Sequence, residues 1–73
     1  MKCIVCKDMN LEGHCITGYL IRLSGKNPFQ PFAKSAAIVF DSNESAYTAG
    51  EKTGMPFKVL PYTDPGYHME MVI

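Results

Sequence analysis

Residues 41–54, Asp41-Ser42-Asn43-Glu44-Ser45-Ala46-Tyr47-Thr48-Ala49-Gly50-Glu51-Lys52-Thr53-Gly54, carry the clearest secondary-structure signal in the chain. Asp41 as N-cap with Glu44 at the third helical position would satisfy two orphan backbone donors reciprocally, so a helix is expected over about residues 42–53. Ala46, Ala49, Gly50 and Thr53 recur at spacings of three and four and form a face of small side chains that can lie close against a sheet. Gly54 suits a left-handed residue just past the helix, and Pro56 keeps the helix from resuming.

On both sides of this helix the apolar period changes to two, the period of strands. Residues 16–24 alternate Tyr19, Ile21 and Leu23 against Leu20 and Arg22, and residues 34–40 alternate Ala36, Ile38 and Phe40 against Ala37 and Val39. These two stretches are expected to form a hairpin with a long connection. After the helix, residues 57–62 read as a returning strand, Asp64-Pro65-Gly66 as a turn, and residues 67–73 as a final strand antiparallel to the one before it. Residues 2–7 are left open between a strand and a tight metal-binding turn. The fold class is therefore α+β: a small antiparallel sheet with one helix across a face, in the order hairpin, helix, hairpin.

With 73 residues, the chain makes one domain (residues 1–73) with a Cys-rich element at 1–15. A domain of that size buries only about 60% of its unfolded surface, so a metal, a partner or tight packing is a welcome addition. An apolar fraction of 47% supplies material for a core. Seven Lys plus Arg balance seven Asp plus Glu, which removes the global field that draws a chain onto phosphates or anionic lipid. Lys7 and Asp8 interrupt the N-terminal apolar residues, so neither a signal-peptide segment nor a membrane span is expected. Three cysteines cannot all pair within one chain, which fits a reducing, cytoplasmic setting.

Those cysteines are the chemical feature of the sequence. Cys3, Cys6, His14 and Cys15 fall within fifteen residues and form a candidate structural zinc site, because zinc favours four thiolate or imidazole ligands in a tetrahedron. Cys3-Ile4-Val5-Cys6-Lys7 resembles the first knuckle of zinc-ribbon and RING-type domains, although the second Cys-x2-Cys pair of those families is absent. His68 is a substitute fourth ligand. Against the zinc reading stand strand parity and packing. Residues three apart on a strand face opposite ways, and a buried thiol packs as a small hydrophobe. A redox dithiol is a more distant reading, since no helix begins at the pair to lower a thiol pKa. Catalysis by Cys15 with His14 lacks a third group to orient the imidazole.

The remaining candidates are contact residues. Phe29 and Phe32 lie on a loop stiffened by Pro28 and Pro31, Tyr47 sits on the helix, and Tyr62 and Tyr67 flank the Asp64-Pro65-Gly66 turn. Any of them can anchor a protein partner or cap the core. Met69, Met71 and Ile73 form an apolar stripe that suits the core or an edge-paired homodimer, so monomer and homodimer both stay open. No phosphate loop, carboxylate pair or triad stands out. The expected function is a non-enzymatic, cytosolic protein-binding module, of the inhibitor or accessory type that phages and bacteria encode in short chains. The alternative is a zinc-knuckle protein contacting nucleic acid or protein.

Overall fold

The computed structural model of the chain describes residues 2–62 and the backbone of Met71–Val72. The one α-helix among the described residues, α1 (Asn43–Lys52), lies across an antiparallel sheet as the class α+β requires. The cap sits one residue later than the sequence signal suggests. Ser42, in extended conformation, accepts a hydrogen bond from the Ser45 backbone N–H at 3.2 Å, which leaves Glu44 at the second helical position and no capping box. The cause is the bridge just upstream: Phe40 exchanges two backbone hydrogen bonds of 2.8 Å with Cys3, so the chain is still strand-like as it approaches Asp41. The Cys3 thiol then donates to Asn43 Oδ1 at 2.7 Å, tying the first helical residue to the sheet. Past the helix, Gly54 has φ 71° and supplies the left-handed stop.

The four-stranded sheet has the spatial order β3 (Phe29–Pro31), β2 (His14–Leu20), β1 (Cys3–Leu11), β5 (Lys58–Pro61), with all pairs antiparallel. A second, two-stranded element pairs β4 (Ile38–Val39) in parallel with β6 (Met71–Val72). The expected hairpin between residues 16–24 and 34–40 does not form. Instead β1 and β2 make the hairpin, through a two-residue turn in which Glu12 (φ 50°) and Gly13 (φ 85°) are both left-handed. β2 ends at Leu20. Residues 34–36 curl into a short 3-10 turn, closed by bonds from Ala36 N–H to Ala33 O and from Ala37 N–H to Lys34 O, before β4 begins. Residues 2–7 resolve as strand, since β1 runs through them from Cys3. The turn at Asp64-Pro65-Gly66 and most of the last predicted strand lie outside the described residues. The part that is described, Met71–Val72, pairs with β4.

Two apolar clusters flank the sheet. On the helix side, Cys3, Val5, Leu20, Phe29, Ile38 and Phe40 pack with Ala46 and Ala49 of α1. On the opposite side, Ile4, Cys6, Ala37, Val39 and Tyr62 pack together. The small-residue face of α1 does what its spacing implies: Ala46, Ala49 and Gly50 are buried, and a Cβ at Gly50 would run into the Phe57 ring. Gly18 plays the same part in β2, where a Cβ would strike the Met9 side chain.

Candidate functional site

The β1–β2 register disperses the Cys and His residues that the sequence crowds together. Cys3 and Cys6 lie on one strand, three residues apart, so their thiols enter opposite clusters, Cys3 under the helix and Cys6 on the far side. Their Cα atoms stand about 10 Å apart on an extended strand, beyond the reach of about 7 Å that a disulfide tolerates. Cys15 pairs with Asn10 and His14 with Leu11 at the exposed end of the hairpin. Cys6 pairs with Tyr19 near its base, so Cys15 is about 13 Å along the ribbon from Cys6. Among the described residues no three His, Cys, Asp or Glu side chains gather in a way that holds a metal ion. His68 lies outside the described residues.

Burial governs the chemistry of the inner thiols. Cys3 and Cys6 are buried and Cys15 is exposed. Burial pushes the Cys6 thiol upward, partly opposed by the positive charges of Lys58 and Lys34, so it is a protonated packing group at neutral pH.

The contact candidates separate just as clearly. Phe29, paired with Leu20 across β2–β3, belongs to the helix-side core, and Tyr62 belongs to the opposite cluster. Both are buried within the described residues. Phe32, three positions after Phe29, is 77% exposed, although a ring of that size is normally an early choice for burial. Its backbone is also left-handed, at φ 61°, a conformation that costs energy for any bulky side chain. Tyr47 is half-exposed and meets Phe57 edge-on, with ring centroids 5.7 Å apart. Tyr67 lies outside the described residues.

Other exposed apolar groups escaped the sequence reading. Leu23, assigned to a strand face, sits in the loop between β2 and β3 and is 51% exposed; Met55 is also exposed. A trough runs between α1 and this loop. At its inner end a concavity of about 340 Å³ is floored by Phe40 and Ala49, and at its outer end one of about 510 Å³ is bordered by Lys26 and Met55. Leu23 and Lys52 line both. The Ile21 N–H donates to Pro28 O at 2.9 Å and closes a loop that begins before Leu23, whereas the turn residues Ser24-Gly25-Lys26-Asn27-Pro28 come only after it, so the sequence alone keeps Leu23 in the strand.

Comparison of the chain with protein-family models, with curated proteins and with solved structures gives no match. Among the described residues no helix is long and apolar enough to cross a membrane.

Proposed function

We propose that the chain is a non-enzymatic protein-binding module, working in the cytosol as an inhibitor or accessory factor of the sort that phages and bacteria supply as short chains. The observation that carries the reading is Phe32: the most exposed large apolar side chain among the described residues, held on a left-handed backbone. Strain of this kind persists where the surrounding structure enforces it, and it concentrates at functional positions. β3 ends one residue earlier, at Pro31, and its pairing with β2 fixes the base from which the ring projects. An aromatic ring presented from a stiff base loses little freedom on docking, which is the usual property of an interface anchor.

Affinity capture from an extract of the natural host tests the proposal. Wild-type protein should retain a polypeptide that Phe32→Ser releases, with a loss of about 2 kcal/mol or more for a hot-spot ring. The melting temperature of the variant should stay near that of wild type, because the ring is outside the core. Equal capture by wild type and Phe32→Ser would refute the assignment.

A further inference from the structure

The trough between α1 and residues 21–28 is a concave surface whose lining does not include Phe32. Its wall is preformed: the Ile21 N–H donates to Pro28 O at 2.9 Å, and Arg22 Nη1 donates to Lys26 O at 3.2 Å, closing the loop on itself. Its charge is uneven. Lys26 and Lys52 line the outer end with no carboxylate among the lining residues, while Glu44 lies at the inner end. Neither lysine has an ion-pair partner among the described residues, where the pair formed is Lys58 with Asp8. In a chain whose formal net charge is zero, this is a local concentration of positive charge beside exposed apolar surface from Leu23 and Met55, with buried Phe40 beneath the inner end.

We propose that the trough docks an extended peptide segment of a protein partner in which a carboxylate side chain lies two residues from an apolar one. The carboxylate takes Lys26 and Lys52, and the apolar side chain enters the inner concavity against Leu23, above the buried Phe40 and Ala49. The spacing is set by reach: Ala49 and Lys52 are about 5 Å apart along the helix axis, and the long Lys52 side chain can cover the remaining distance to a carboxylate two residues, or about 7 Å, from the apolar group on an extended peptide. Opposite charge sets orientation and the apolar contact supplies the desolvation gain. The inference rests on the reading of the chain as a protein-binding module, but on other residues.

Panning a displayed library of random dodecapeptides against the full chain tests it. Enriched peptides should share an acidic-x-apolar pattern. A synthetic copy of the leading peptide should bind Lys26→Glu/Lys52→Glu at least about tenfold more weakly, the scale of a single charge-assisted contact. The milder Lys26→Gln/Lys52→Gln variant should also lose affinity, and Phe32→Ser should bind like wild type. Absence of enrichment, a consensus without a carboxylate, affinity unchanged in both lysine variants, or displacement of the peptide by a single-stranded oligonucleotide would each overturn the proposal. Capture of the host partner through Phe32 is read separately, so one proposal can fail while the other stands.

Discussion

The two halves of β1 are one strand with opposite fates. From Cys3 to Cys6 every side chain is buried, because β5 pairs along one edge, Phe40 bridges Cys3, and apolar clusters occupy both faces. From Lys7 to Leu11 the strand has passed the end of the β5 ladder and, among the described residues, is backbone-paired with β2 alone. There Asp8, Asn10 and Leu11 are exposed, as are His14 and Cys15 opposite. Proximity in sequence is therefore a poor guide to a site when a hairpin intervenes: Cys6 and Cys15 belong to the base and the tip of one ribbon. The base carries the buried core, and the groups proposed for contact lie outside it.

The largest effect expected from this contrast is in stability. Leu20→Ala, at the buried base, should cost about 2–5 kcal/mol, whereas Leu11→Ala, at the tip, should stay within about 0.5 kcal/mol. Denaturant unfolding measures both, and similar costs would erase the distinction between base and tip. A smaller effect concerns the thiols. Cys6→Ser places a hydroxyl in an apolar cluster and should destabilise by about 1–3 kcal/mol. In the native protein one thiol, that of Cys15, should react at once with an aromatic disulfide reagent while the other two wait for unfolding. Elemental analysis should find substoichiometric zinc, and chelator should leave the melting transition in place. One equivalent of zinc with unfolding on chelation would restore the four-ligand site, since structural zinc binding energy is folding energy.

The helix was legible in the sequence, and so was the burial of its small face, because Ala46, Ala49 and Gly50 leave no other way to read the period. The β1–β2 hairpin was not. Glu12-Gly13 lacks the Asn or Asp that ordinarily announces a two-residue turn, and β1 reads apolar in its first half and polar in its second. Nor was the split between Phe29 and Phe32 visible. Both rings flank the same proline, and only the register of β3 on β2 turns Phe29 inward. Strand parity did anticipate the separation of Cys3 from Cys6, since it needs nothing beyond the extended backbone.

The smallest effect expected is on pH. The folded Cys6 thiol is raised above the value of about 8.5 for a free cysteine, so the unfolded chain releases that proton first. Its contribution to stability is whole below the unfolded pKa and declines as pH rises toward the folded one. Wild-type stability should therefore fall above about pH 8.5 more steeply than that of Cys6→Ala, as followed by denaturant titration across alkaline buffers. Parallel profiles would mean that the thiol is not held in its neutral form by the base of the sheet.

Photo-cross-linking in the natural host asks whether contact is made from Phe32 while the fold is held at the base of the sheet. A photoreactive phenylalanine analogue is placed at position 32 and, for comparison, at position 15 on the hairpin tip. A discrete adduct with another polypeptide is expected from position 32 and none of matching yield from position 15. No adduct from position 32, or equal adducts from both, would rule out Phe32 as the point of contact.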